Sequence, residues 1–348
     1  AFPLAQRFRP VAGENPKAAP ARDSGIEDIV AAARNTSAHL ALLGDKRFLV
    51  NEARSAFVMY DIAGRCAVAM GDPVGPETAK RDLLWEFRDY CERSGLMQVA
   101  YQVPPESLHH YADLGLLAAK FGEEAFINLR EFTLDGAARK TERNLLNKLE
   151  REGIAFRIVP REEIPAMLPG LKTISDDWLK QKNTREKGFS LGFFQPDYLA
   201  HFNHAVLYRN GQPAAFANIL EGAEKDELSV DLMRYTGALP GSAMEYLFLR
   251  LFLWGKDEGF QTFNFGMAPL SGIEKRQASP MWNRIATLVY EHDEAFYNFR
   301  GLRQYKEKFH PDWRPRYIAA PPGPGTLPIV LTSIATLVNR GMTGILVK

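Results

Sequence analysis

Alternating apolar positions and apolar positions spaced three and four apart take turns along the chain, which predicts a mixed α/β (α+β) fold. Three short β-rich runs, RFLVNE (47–52), AFVMYDI (56–62) and CAVAMGD (66–72), have turn-length breaks between them and read as an antiparallel meander. A helical period follows from about Glu77 to Arg93, then a buried strand, MQVAYQV (97–103), a second helix, a further strand and FINL (126–129). The scheme then recurs. GIAFRIV (153–159) predicts a strand, a helix runs from about Ile164 to Lys180, and VLYRNGQPAAFANIL (206–220) is a hairpin turning at Asn210-Gly211. ELSVDLMRY (227–235) is the next strand, and a helix from about Ser242 to Glu258 leads into QTFNFGM (261–267). Gly71 to Gly95 can be laid on Gly237 to Gly259, so the expected architecture is two copies of one α/β unit, 25–134 and 154–320.

Between the copies, DGAARKTERNLLNKLEREG (135–153) predicts an amphipathic helix. Lys140, Arg143, Asn144, Asn147 and Arg151 fall on one face, with Leu145, Leu146 and Leu149 opposite. Its polar stripe is either a solvated helix face or a phosphate contact, for which Lys140, Arg143 and Arg151 are the candidates.

Composition narrows the classes. The chain has 348 residues, 46% hydrophobic, ample for two cores. The net charge of +1 confines any polyanion contact to local patches. Two cysteines, Cys66 and Cys91, make neither a disulfide framework nor a four-ligand zinc site and read as buried thiols. The start, AFPLAQRFRP, lacks a signal-peptide core, and the Pro/Ala-rich run 10–25 reads as a linker, so residues 1–24 are expected to join an upstream region. LPIVLTSIATLV (327–338) is shorter than the ~18 apolar residues that span a bilayer. Within the tail, 321–348, it is a helix on the core or one lying in an interface.

No GxxxxGK[ST], HExxH, CxxC or GxSxG occurs, which removes the warrant for nucleotide hydrolysis, thiolate metal sites or a serine-hydrolase elbow. DLMRYTG (231–237) ends a buried strand with Asp231 and Arg234, either an ion pair or a site aimed into a cleft. NFGMAPLSG (264–272) bends at Gly266 and Met267, where exposed backbone could receive a ligand. KNTREKGFSLGFF (182–194) is a polar loop, a connector or a lid. YNFRGLRQYKEKFHPDWRPRY (297–317) packs six cations and six rings into 21 residues. Arg300, Arg303 and Lys306 at helical spacing would form one cationic face for phosphate, as in RNA or anionic lipid recognition.

The runs DLMRYTGALPGSAMEYLFLRLFLWGKDEGFQTFNFGMAPLSG (231–272) and FYNFRGLRQYKEKFHPDWRPRYIA (296–319) resemble the soluble C-terminal domain of the multiple peptide resistance factor family, the aminoacyl-phosphatidylglycerol synthases. The likeness runs from about residue 25 to 320. It implies two tandem GNAT-like acyltransferase domains joined by a basic helix, on the cytoplasmic face of the bacterial inner membrane beneath an upstream transmembrane domain. It implies transfer of an amino acid from aminoacyl-tRNA to the glycerol hydroxyl of phosphatidylglycerol, which lowers membrane negative charge and aids resistance to cationic peptides. Asp231 and Arg234 match the family's DxxR, Lys306 its RxYKEKF run and Glu186 its EKGFS loop; Arg303 is added as their neighbour. On that footing Asp231 and Glu186 would bind the α-ammonium or take the hydroxyl proton, and Arg234 and Lys306 would hold phosphate or oxyanion. An aminoacyl ester is already activated, so no cofactor or metal is expected.

The pyrophosphate cradle of acetyl-CoA enzymes is broken here: Leu239 stands at its last small position and Pro240 removes the next amide. That disfavours an ordinary acetyltransferase. A transferase acting on peptidoglycan precursors or protein N-termini stays open, as does a non-catalytic RNA- or membrane-binding module. The choice of 27 Arg against 16 Lys, with much Ala, points to a GC-rich genome and favours alanine over lysine as the donor amino acid.

Overall fold

The computed structural model describes residues 24–273 and 301–341. The expected linker, save Ser24, lies outside them, as do Tyr297, Phe299 and Arg300. In chain order the first elements are α1 (Ser24–Ala31), a 3-10 helix (Thr36–Leu43), β1 (Arg47–Val50), β2 (Phe57–Ala63), β3 (Cys66–Met70), α2 (Glu77–Arg93), β4 (Met97–Val103), α3 (Leu108–Asp113) and β5 (Leu117–Asn128). Then come α4 (Lys140–Arg151), β6 (Ile154–Val159), α5 (Ile164–Gln181), α6 (Pro196–Leu199), β7 (His204–Arg209), β8 (Gln212–Glu221), β9 (Glu227–Tyr235), α7 (Ala243–Asp257) and β10 (Thr262–Pro269). A helix over residues 301–307 (α8), β11 (Asp312–Ala320) and α9 (Thr326–Val338) end the described chain.

The mixed α/β class is the one the periodicity predicts. The meander β1–β2–β3 is antiparallel, and Asn210 and Gly211 both take positive φ, which suits the tight two-residue turn of the β7–β8 hairpin. The strand expected before FINL and FINL itself are one 12-residue strand, β5.

The eleven strands among the described residues form one sheet in the order β1-β2-β3-β4-β11-β5-β10-β9-β8-β7-β6. The division expected at 25–134 and 154–320 follows the chain but not the hydrogen bonding. β11, from the second unit, lies antiparallel between β4 and β5, while β5, from the first, pairs with β10. Each unit thus closes its sheet with its partner's last strand, and the two halves share their backbone ladder.

Helices cover both faces. Leu146 and Leu149 of α4, with Leu247, Phe248 and Phe252 of α7, enclose one core over β5–β10. On the other face α5 and α6 pack over β7, β8 and β9, and α9 joins α1, β2 and β3 in a separate core. Among the described residues no helix is long and apolar enough to cross a membrane.

His204 on β7 is fully enclosed, with Nδ1 on the carbonyl of Phe202 at 3.0 Å, and burial pushes its imidazole from 6.5 down to about 4. The folded chain therefore binds fewer protons here than the unfolded chain between those values. The contribution is complete above pH 6.5 and declines as pH falls toward about 4. Measured by urea unfolding, the stability difference between wild type and His204→Asn should shrink by about 3 kcal/mol over that interval. A pH-independent difference would exclude His204 as the titrating group.

Candidate functional site

β9 and β10 run parallel and pair only over Glu227–Ser229 with Thr262–Asn264, then part. In the first unit the equivalent strands stay closed: β3 and β4 pair through Met70 and Tyr101, and the Gly71 amide donates to Tyr101 O at 2.7 Å. Two bulges open the second unit. On β9 one extra residue falls between Val230 and Met233, and Asn218 Oδ1 accepts the Leu232 amide at 2.8 Å. On β10 the register with β5 shifts between Asn264 and Met267, with Gly266 at φ +79, a left-handed turn that favours glycine. A cavity of about 860 Å³ occupies the gap. Its walls include Asp231, Gly266, Met267 and Lys306, the 3-10 helix on one side and Leu331, Ile334 and Val338 of α9.

Lys306, on α8, is 5% exposed. Its Nζ donates to Gly266 O at 2.9 Å and Met267 O at 3.1 Å, the carbonyls that the β10 bulge turns outward. Burial lowers this amine to about 7, against a smaller opposing pull from Glu124. Asn264 fixes the bulge: its Oδ1 accepts the Gly266 amide at 2.8 Å and its Nδ2 donates to Glu124 Oε1 at 3.1 Å. Glu124 Oε2 in turn accepts from Arg316 Nε at 2.8 Å. On β9, Glu227 Oε1 accepts the Thr36 amide at 2.8 Å and its hydroxyl at 2.5 Å, and burial pushes this carboxyl up.

Asp231 and Arg234, three apart, would face opposite ways on a regular strand. The β9 bulge lets both meet the 182–194 loop. Asp231 accepts the Gly192 amide and the Tyr198 hydroxyl, each at 2.7 Å, and burial raises its carboxyl above the usual range. Arg234 pairs with Glu186 at 2.8 Å and lies 4.3 Å over the Trp178 ring. Asp45 holds the same loop from the first unit, accepting the Phe189 amide at 2.7 Å while the buried Lys46 donates to it at 2.6 Å. Lys187, Ser190 and Leu191 of the loop line the cavity. Asp231 reaches that cavity too, whereas Arg234 and Glu186 stand outside its lining.

The expected cationic face on residues 300–306 is not what the described residues form. Arg303 pairs with Glu123 and lies 4.2 Å over Trp313, Lys306 is buried, and Lys308 reaches Glu245 at 3.2 Å. Arg314 covers Phe126 at 4.1 Å and Arg316 is bound to Glu124. The rings have an internal use as well. Phe309 is 4% exposed and, with Tyr305, joins Phe248 and Phe265 in edge and tilted contacts at 4.4–6.4 Å. Burying aromatics stabilises the core, and anchoring them needs internal partners for the intervening charges. Of the α4 stripe, Lys140 and Arg151 are exposed, while Arg143 donates to the carbonyls of Leu134 and Gly136.

Glu124, Asn264, Tyr198 and Asp45 escape the sequence reading. One signal was available: the adjacent acids Glu123 and Glu124 sit inside an otherwise apolar strand run, KFGEEAFI, where a buried charge needs a partner. Among the described residues no group of three or more His, Cys, Asp or Glu could hold a metal.

The family described as "Phosphatidylglycerol lysyltransferase, C-terminal" matches residues 28–320. A phosphatidylglycerol lysyltransferase of Bacillus subtilis is 40% identical over 286 residues, which are 82% of this chain and 33% of that protein. One of Staphylococcus aureus is 36% identical over 285 residues, 82% of this chain and 34% of that protein. Among solved structures, L-PGS from Bacillus licheniformis superposes with TM-score 0.79 at 36% identity, covering 92% of this chain and 98% of that one. A C-terminal DUF2156 domain from Agrobacterium fabrum gives TM-score 0.82 at 38% identity, covering 90% and 96%. The chain spans about a third of the length of the curated relatives it matches. With the family model matching residues 28–320 and relatives at 36–40% identity over 82% of its length, the chain belongs to the phosphatidylglycerol lysyltransferase C-terminal family.

Proposed function

We propose that this chain moves an aminoacyl group from aminoacyl-tRNA to the glycerol hydroxyl of phosphatidylglycerol. The observation that supports this best is Lys306, a cavity-wall amine that burial lowers to about 7. A neutral amine has two N–H groups and one lone pair. With Gly266 O and Met267 O taking the N–H groups, the lone pair is left for the cavity. It accepts the glycerol hydroxyl proton as that oxygen bonds to the ester carbonyl carbon. The ammonium then returns the proton to the ribose oxygen as the old ester bond breaks. One ester replaces another, so neither ATP nor a redox partner enters. Asp231 on the neighbouring strand keeps lone pairs beyond those used by Gly192 and Tyr198, and attracts the α-ammonium of the donor. Arg234 and Glu186 act here through the loop they anchor, a different role from phosphate holding.

A cavity of about 860 Å³ falls within the roughly 300–1,000 Å³ of pockets that enclose drug-sized ligands. It suits a lipid headgroup and an aminoacylated ribose, with the acyl chains left in the bilayer. Leu191 and Leu302 on the cavity wall and Ile329 on α9 are 44%, 37% and 45% exposed, an apolar rim for the inner-membrane surface. Lys140 and Arg151, both exposed, with Arg151 Nε donating to Asn147 O at 3.0 Å, would meet tRNA phosphates on the α4 side. The upstream part of the full-length protein would hold the chain at the cytoplasmic face. For the donor we favour lysine over the alanine suggested by composition: the relatives carry the lysyl name, and this cavity exceeds the small closed pocket that alanine needs.

The test is transfer of radiolabelled amino acid from separately charged Lys-tRNA and Ala-tRNA into lipid, with and without phosphatidylglycerol vesicles. Label in lipid from Lys-tRNA alone, and only with phosphatidylglycerol, is expected. Charged tRNA that persists beside unlabelled lipid would overturn the reading.

A further inference from the structure

We propose that Asn264 is a positioning residue for the transfer reaction: its side chain fixes the β10 bulge that aims the Lys306 amine at the cavity. The inference rests on the reaction proposed above and adds a residue that never needs to touch substrate.

Asn264 is 7% exposed, at the last paired position before β9 and β10 separate. Its Oδ1 takes the amide of Gly266, two residues on, and so stabilises a left-handed glycine that β-sheet pairing does not. Its Nδ2 donates to Glu124, its side chain also acts on the Glu227 carboxyl, and its own backbone carbonyl accepts the Ser229 hydroxyl at 2.8 Å. Three strands, β5, β9 and β10, thus meet at this one residue. The Gly266 and Met267 carbonyls beyond it are the two acceptors of Lys306. Without the Asn264 amide the Gly266 N–H would seek a ladder partner or water, and the two carbonyls would lose their common direction. Among the described residues Glu124 of β5, bound to Arg316 of β11, is the carboxylate that pulls on the Lys306 amine. Asp231 and Glu227 belong to β9, and Tyr305, whose phenol burial pushes up, sits on its own helix. A loosened bulge admits water, and the amine then moves back up toward an ordinary lysine value.

Two readouts test this on the purified chain. The first needs no substrate: trace acetylation of Lys306 by acetic anhydride across pH, read by mass spectrometry. The wild-type midpoint is expected near 7, where the amine lies. Asn264→Ala should raise it by about one unit or more, Asn264→Asp should raise it through its added charge, and Asn264→Ser should fall between wild type and Ala because a hydroxyl can accept the Gly266 amide. The second is transfer from charged tRNA to phosphatidylglycerol vesicles. Asn264→Ala should lower kcat by about tenfold to a hundredfold with KM within about twofold, with partial recovery in Asn264→Ser. A fall in kcat with an unmoved labelling midpoint means a merely structural residue and overturns the proposal, as does an Asn264→Ala chain that matches wild type in both readouts. Absence of transfer by wild type, with the midpoint still moved by Asn264→Ala, overturns the reaction reading and leaves the Asn264–Lys306 link standing.

Discussion

Replacing Lys306 by Met is expected to lower aminoacyl transfer by about a thousandfold, within the roughly 10²–10⁴-fold that a positioned acid–base group supplies. Met fills much of the same volume without an amine, so the loss reports on the amine rather than on a cavity. Arg in its place should not rescue: a guanidinium stays protonated and has no lone pair to offer. The pH profile carries the sign. The working form is the free amine, so kcat should rise with pH through about 7 and level off above it. A role as a fixed cation would give the opposite limb, with activity lost as the amine deprotonates. Single-turnover transfer from pre-charged tRNA distinguishes the two without interference from tRNA charging. Lys306→Met with near wild-type turnover would remove the amine from the mechanism.

Glu124→Ala is expected to destabilise the chain by about 3–5 kcal/mol, the usual cost of stranding one member of a buried ion pair. Both partners are enclosed, with side chains 14% exposed for Arg316 and 10% for Glu124. They tie β5 to β11 where the two units exchange strands, so the loss falls on the joint between the halves. Truncation strands the Arg316 guanidinium and one amide hydrogen of Asn264. Glu124→Leu combined with Arg316→Met should cost less than either single change, because no charge is left buried. Urea unfolding of the four proteins gives the coupling directly. Additive single effects would show that the two residues act apart.

Much of this site is legible one residue at a time and illegible as an arrangement. Asp231, Lys306, Gly266 and Met267 lie in runs whose chemistry stands out against their surroundings, and the structure brings all four to one cavity. Arg303 stands out equally, yet its charge goes to Glu123, more than a hundred residues earlier in the chain. Composition shows that a segment is cationic and aromatic. It does not show whether its acids are in solvent or on a neighbouring strand. The aromatic residues were the better guide: Tyr305 and Phe309 signal packing, and packing requires internal partners for the charges between them.

The bulges are the sharper case. A period-two pattern fixes which residues of a regular strand share a face, and by that rule Asp231 and Arg234 diverge. One extra residue on β9 brings both to the same loop, and only pairing with β8 creates it. Leu232 and Asn218 complete the ladder there, and nothing in either local run announces it.

What the sequence determined by itself is local: the positions and types of most helices and strands, the Asn210-Gly211 turn, and the runs that carry the family likeness. These depend on side-chain period, turn chemistry and order along the chain, all within a few residues of one another. The exchange of β5 and β11 between units, the parting of β9 from β10, the internal partners of the basic segment and the lowered basicity of Lys306 were decided by the tertiary structure. Each depends on which distant groups become neighbours once water is excluded, and burial sets both the partner a charge requires and the proton it keeps.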